Sequence, residues 1–508
     1  MRESGILYPI FSLPSRYGIG CFSKEAYEFV DFLKESGHGY WQILPVGPTG
    51  FGDSPYQPLS AFAGNPYFIS PDGLMEEGLL FEHEVSSLYF GSDEERVDYG
   101  AQYENRGKIL KIAFGRFCER NGFEDDVYKS FIKESEFWLE DYCMYMALKE
   151  KFEGASWETW EDKYRLRDAK TIKKAKDELK DSIDYFKFVQ FEFHKQWKKL
   201  HEYATEKNIK IIGDIPFYVS LDGADAWSHP EAFQMDDEGH PTVVAGCPPD
   251  AFSPTGQLWG NPIYDWENRK ASGYEWWMKR MERSFELYDV VRIDHFHGFD
   301  EYYAIPYADK DASKGEMLKG PGMDFFNVLN KRFEKLLADD TKMHIIAEDL
   351  GTVTKDNQKL LEDSGIPGMK VLQYAFTSWD SVYMTHRHIK NCVVYTGTHD
   401  NTPTRAWIEE IGDGDRDFAR RYLNSMNTDY GAFVWDFIRE AYRSVADLCI
   451  VPIQDYLVLS RESRINSPGT PEGNWQWRMK PHFLSHELAG SIRRLAETYG
   501  RIPVEKQK

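Results

Sequence analysis

Four carboxylates close short apolar runs in this chain: Asp214 after Ile211-Ile212-Gly213, Asp294 after Val290-Val291-Arg292-Ile293, Glu348 after Ile345-Ile346-Ala347, and Asp400 at the end of the run that begins at Asn391. Paired carboxyl groups can flank an acetal, one attacking or stabilising while the other donates a proton and later removes one. The two must titrate apart. Asp294 stands two residues from Arg292, and a guanidinium favours the ionised carboxylate, whereas Glu348 follows a mostly apolar run that disfavours its charge. Neighbours therefore cast Asp294 as the anion and Glu348 as the proton donor. An Arg-x-Asp pair is also a common structural ion pair, and Asp214 after Gly213 also reads as ordinary turn chemistry. His295, His297 and His399 are possible metal ligands. No metal-type spacing supports that reading, so no metal is assigned.

These acids need elements that bring them together. In a strand, side chains alternate faces, so Arg292 and Asp294 share one side and Val291 and Ile293 the other. Candidate strands begin at Tyr40, Pro66, Ile209, Val290, Met343, Gly368, Asn391 and Cys449, separated mainly by helical or loop sequence. Eight near-continuous apolar strands alternating with helices predict an α/β fold, a (β/α)8 TIM barrel, with an open doubly wound sheet as the alternative. In a parallel barrel all strand C-termini lie on one face, so acids far apart in sequence converge there. No G-x-G-x-x-G or G-x-x-x-x-G-K-[ST] follows a strand, which removes the usual reasons to expect a nucleotide, and no cofactor is implied.

Other stretches decorate this barrel. Glu25 to Glu35 reads as an amphipathic helix ending near Gly37, and Gly5 to Gly20 as a loop-rich entry. Val46 to Pro66, dense in Gly, Pro and Ser yet carrying Phe51, Tyr56 and Phe62, reads as a functional loop. Residues 1–508 are taken as one catalytic barrel, with a mainly α-helical insertion over about 74–182 and a loop-rich insertion over about 220–285. Trp227, Trp259 and Tyr56 could be core aromatics, but the Gly/Pro/Asn setting of Trp259 suits a ligand platform.

Composition narrows the partners. Net charge is −22, which repels phosphate backbones and anionic lipid, so neither nucleic acid nor membrane is expected. Six scattered cysteines without C-x-x-C suit a reducing compartment, and the first residues carry no basic-then-apolar leader, so the expected location is cytoplasmic. Aromatic residues reach 15%, enough for a groove that stacks on sugar rings or bases as well as for a core.

Longer motifs go further. Arg292-Ile293-Asp294, Ala347-Glu348-Asp349-Leu350-Gly351 and Thr398-His399-Asp400-Asn401-Thr402 resemble the strand ends of the α-amylase superfamily. Ser54-Pro55-Tyr56-Gln57, Gly213-Asp214-Ile215-Pro216-Phe217, Pro248-Pro249-Asp250, Leu258-Trp259-Gly260-Asn261-Pro262 and Arg464-Ile465-Asn466-Ser467-Pro468-Gly469-Thr470 look like its 4-α-glucanotransferase branch, the amylomaltases or disproportionating enzymes of glycoside hydrolase family 77. The resemblance runs from about Gly5 to beyond Trp475. It implies a retaining double displacement in which Asp294 forms a covalent glucosyl intermediate, Glu348 serves as acid then base, and Asp400 binds sugar hydroxyls and stabilises the transition state. It implies that Tyr56, Asp214, Arg292 and His399 line the pocket of the cleaved bond, that Trp259 stacks on an acceptor glucose, and that Ser54, Asp250 and Asn466 contact substrate. The loops 246–256 and 466–470 would cover the groove. Implied partners are malto-oligosaccharides, α-1,4-glucans derived from starch or glycogen, and glucose as acceptor. Two positions depart from the pattern: Ala251, where some members carry an aromatic, and Cys247, where an aliphatic is frequent.

Overall fold

The structure, a computed structural model, describes residues 2–249, 253–339, 343–351, 354–470 and 472–503. Its strands are β1 (Glu3–Leu7), β2 (Tyr40–Gln42), β3 (Lys210–Ile215), β4 (Val243–Cys247), β5 (Gln257–Pro262), β6 (Val290–Ile293), β7 (Glu301–Pro306), β8 (Glu316–Lys319), β9 (Ile345–Ala347), β10 (Gly368–Val371), β11 (Cys392–Tyr395) and β12 (Leu448–Pro452). Eight of them close into a barrel in the order β1-β12-β11-β10-β9-β6-β3-β2. Every barrel pairing is parallel. With helices packed outside, this is a (β/α)8 barrel.

Alternation along these strands sorts their side chains. Leu7, Tyr40, Ile212, Val290, Ile346, Met369, Val371, Val393, Tyr395, Leu448 and Ile450 form one buried cluster in the barrel interior. Ile211, Val291, Ile293 and Ala347 fall in the larger cluster beneath the helices. Each such fully buried aliphatic side chain contributes about 1.5–3 kcal/mol relative to exposure, so a one-residue register slip would be costly. Arg292 shares the inward face with Val290, as alternation requires, one layer nearer the mouth.

The helix Lys24–Glu35 shows how the outer ring is specified. Ala26, Phe29, Val30 and Leu33 recur at helical spacing on its buried face, and Gly37, at φ 78°, supplies the left-handed residue that lets the chain turn back.

One predicted barrel strand is replaced by another. Pro66–Phe68 is a 3-10 turn: the Asn65 side chain caps it by accepting from the Tyr67 amide, and Pro66 presets the turn and brings no N–H to a ladder. The missing strand is β1, which runs into the start of the segment read as a loop-rich entry, Gly5 to Gly20. Its polar start conceals it, because Ser4 is satisfied at long range by His38 and by the Arg501 carbonyl. Gly5 is required there, since a Cβ would lie 2.6 Å from Tyr40.

A second sheet, ordered β5-β4-β7-β8 and antiparallel, stands beside the barrel mouth. It takes two strands from within 220–285 and two from beyond β6. Between 74 and 182 the described structure is helical, and the long helix Lys180–Glu206 carries the chain back into β3. No helix among the described residues is long and apolar enough to cross a membrane.

Candidate active site

β3, β6 and β9 are neighbours, and their register places Asp214 opposite Arg292 and Ile293 opposite Ala347. Asp294 and Glu348, each one residue beyond that last pair, therefore emerge side by side at the mouth. The two are close enough for the Asp294 charge to act on Glu348.

Arg292 organises the floor. It is 2% exposed, and its Nη1 donates to both oxygens of Asp214 at 2.7 Å and to Asp294 Oδ1 at 3.0 Å. Burial opposes the guanidinium charge, but Asp214 and then Asp294 outweigh it and hold Arg292 protonated, well above its ordinary range. For the enclosed Asp214 carboxyl, burial pushes the pKa up and Arg292 pulls it back. Asp214 is thus an anchor beneath the site, with Tyr56 donating its hydroxyl to Oδ2 at 2.8 Å.

Glu348 is held by backbone. The His295 amide donates to Oε2 and the Leu350 amide to Oε1, both at 2.8 Å. The first of these bonds needs an unusual conformation: His295 adopts φ 48°, ψ 50°, a left-handed setting that costs a non-glycine residue about 1–3 kcal/mol. Both amides favour the ionised form. Burial and then the Asp294 charge prevail, and the carboxyl is pushed up to about 8. The surroundings of Glu348 thus favour its protonated form, next to an Asp294 that is paired with Arg292.

Asp400 stands across the mouth. Its Oδ1 accepts from Asn466 Nδ2 at 2.6 Å, its carbonyl accepts from Arg464 Nη2 at 2.8 Å, and its Oδ2 lies 3.3 Å from His399 Nε2. Tyr56 stacks on the His399 ring at 5.1 Å with planes 15° apart, and Trp475 leans on both rings. Ser54 bears on this wall indirectly, its Oγ accepting from the Tyr56 amide at 3.2 Å. Trp259, half-exposed on β5, presents itself edge-to-face to His295 at 5.3 Å. Trp227 is a core residue, its Nε1 bonded to the Tyr164 carbonyl. Asp250 and Ala251 lie outside the described residues.

The structure thus gathers Tyr56, Asp214, Arg292, Asp294, Glu348, His399, Asp400 and Asn466 around one mouth. It adds residues that sequence reasoning did not assign: the His295 amide, Arg464 and Trp475. Arg464 lies in a motif quoted for its likeness, which was the available signal; the backbone role of His295 leaves none. Among the described residues, no cluster of three or more His, Cys, Asp or Glu could hold a metal ion.

The family pattern described as 4-alpha-glucanotransferase matches residues 8–485. A 4-alpha-glucanotransferase of Clostridium butyricum is 46% identical over 495 residues, covering 97% of this chain and 99% of that protein. One from Thermus thermophilus is 41% identical over 508 residues, covering 99% of both. Among solved structures, an amylomaltase from Streptococcus agalactiae in complex with acarbose superposes with a TM-score of 0.93 at 36% identity, covering 99% of this chain and 100% of that one.

Proposed function

Since the chain belongs to the 4-alpha-glucanotransferase family and is an enzyme of that activity, we propose that it moves α-1,4-glucan segments from a donor malto-oligosaccharide to an acceptor glucan or glucose by a retaining double displacement. Protonated Glu348 gives its proton to the glycosidic oxygen as Asp294 attacks the anomeric carbon. The bond to oxygen breaks, the reducing-side segment leaves as an alcohol, and a glucosyl-aspartate remains. Glu348, now a carboxylate, takes the proton from an acceptor hydroxyl, which displaces Asp294 and restores the linkage with its original configuration.

The carrying observation is the pairing of a carboxyl raised to about 8 with a carboxylate bound to a buried guanidinium, on adjacent strand ends. His399, Asp400 and Asn466 bind sugar hydroxyls opposite, with Asp400 facing the positive charge that develops at the anomeric centre. Trp259 offers a stacking face on the acceptor side, and Tyr56 and Asp214 fix Arg292 and the pocket wall; Ser54 and Asp250 are assigned to the same substrate groove. By this reading 1–508 is one catalytic barrel, with the insertions about 74–182 and 220–285 shaping the groove. Loops 246–256 and 466–470 close over the intermediate, which favours a sugar hydroxyl over water.

Incubation with maltotriose tests the activity. Glucose and longer chains should appear while total reducing ends stay constant; rising reducing ends would mean hydrolysis and overturn the assignment. Treating Glu348→Gln with α-maltosyl fluoride should leave a maltosyl mass on the peptide that carries Asp294, and a label elsewhere would refute the covalent role.

A further inference from the structure

His399, Thr402, Gln454 and Asp455 are among the residues that line a polar pocket of about 10 Å³, room for a single water. Three enclosed polar atoms among these residues have no protein partner: His399 Nδ1, Gln454 Oε1 and Thr402 Oγ1. His399 is 2% exposed and Gln454 4%, so neither atom can turn to bulk solvent. The surroundings are fixed. Asp455, 1% exposed, accepts from the Thr404 amide at 2.8 Å, Thr404 Oγ1 at 2.6 Å and Thr396 Oγ1 at 2.5 Å, tying down both ends of the loop that carries Asp400. Gln454 Nε2 donates to the Ser463 carbonyl at 3.2 Å, so Oε1 is the end of this pocket-lining side chain left without a protein partner.

We propose that one water occupies this pocket and that Gln454 is, through it, a positioning residue that keeps His399 in the Nε2–H tautomer. A water bonded to these three atoms accepts from the Thr402 hydroxyl and donates to Gln454 Oε1 and His399 Nδ1, an assignment that uses both water protons and gives each of the three atoms a partner. With Nδ1 accepting, the ring proton resides on Nε2, 3.3 Å from Asp400 Oδ2 and facing the mouth. In the alternative tautomer the water would accept from both Thr402 and Nδ1–H, leaving one of its protons with no acceptor among these atoms, and a bare nitrogen would face the Asp400 carboxylate. The effect on catalysis rests on the reading of His399 and Asp400 as sugar-binding groups; the water and the tautomer do not.

The test separates the two. A crystal structure of the wild-type enzyme at a resolution that orders water should show one molecule within hydrogen-bonding distance of all three atoms; a dry pocket, or a water out of reach of His399 Nδ1, overturns the proposal. In 15N-histidine NMR, His399, assigned with His399→Gln, should show one neutral Nε2–H tautomer in the wild type and a mixture in Gln454→Met and Thr402→Val. A change that merely loosened the fold would lower Tm without moving that signal, and an unchanged tautomer in folded variants overturns the proposal. The same variants should lose about tenfold in kcat with KM changed less than about threefold, since a misplaced tautomer harms the transition state more than binding. A changed tautomer with kcat intact would refute the catalytic part alone. If neither variant folds, the wild-type crystal and spectrum still decide.

Discussion

Glu348→Gln is the substitution whose outcome the structure specifies most closely. The side chain keeps its shape, but both carboxyl oxygens accept backbone amides at 2.8 Å. An amide has one oxygen, so its NH2 must face either the His295 or the Leu350 N–H, and one donor goes unmet at about 1–3 kcal/mol. That fits within a total stability of about 5–15 kcal/mol, so the variant folds. The larger effect is on the barrier. Loss of a general acid costs about 10²–10⁴ in rate, or about 3–5 kcal/mol. Glucose release from maltotriose reads this loss directly. The discriminating assay replaces both partners of the proton: α-maltosyl fluoride has a leaving group that needs no acid, and azide is a nucleophile that needs no base. On that pair the deficit of Glu348→Gln should shrink to under about tenfold, the remainder reflecting the unmet amide. Glu348→Ala, which removes the opposed NH2 and opens room for azide, should do better still. Equal loss on maltotriose and on the fluoride–azide pair would refute the proton-transfer role.

Three further outcomes follow from the same site. In the proposed mechanism Glu348 acts in its protonated form, so in the free enzyme kcat/KM should fall as pH rises through about 8; a flat profile to pH 9 would exclude it as the acid. Its raised folded value also means that the native state binds the extra proton between the ordinary glutamate value of 4.5 and about 8, so this group's contribution to stability declines as pH rises through that window. Arg292→Met strands Asp214 without its cation and should cost about 3–5 kcal/mol in denaturant unfolding, part of which Arg292→Met/Asp214→Asn recovers; strict additivity would mean that the pair is not coupled. Gly213→Ala would place a Cβ 2.2 Å from the Tyr288 ring, and should destabilise by about 1–3 kcal/mol and lower activity by shifting Asp214; wild-type Tm and kcat would show that the ring yields freely.

Much of the site was legible because it uses local signals. Short apolar runs ending in an acid mark strands that leave a buried sheet, and β3, β6 and β9 bear Asp214, Asp294 and Glu348 where alternation puts them. What escaped is non-local. β1 is hidden because Glu3, Ser4 and Gly5 look like a loop until Arg501, His38 and Tyr40 arrive from distant parts of the chain. The small sheet pairs β4 with β7 across an intervening barrel strand, a connection no short-range pattern announces. Pro66 to Ser70 has a strand's apolarity but a turn's proline and cap. The left-handed His295 carries no signal in a strand-end pattern, although that conformation lets its amide donate to Glu348.

The seam between β1 and β12 has a consequence for biosynthesis. Glu3 pairs with Leu448 and Leu7 with Pro452, and Arg501 then bonds the carbonyls of Glu3, Tyr442 and Ser444 across that join. A ribosome adding roughly 5–20 residues per second releases β12 roughly 20 to 90 seconds after β1. Throughout that interval the first strand has one open edge, and the cylinder is an incomplete sheet with unpaired amides at both rims. Nascent chains of this enzyme should therefore engage holding chaperones late in translation, and truncation before Leu448 should yield aggregation rather than a smaller folded body.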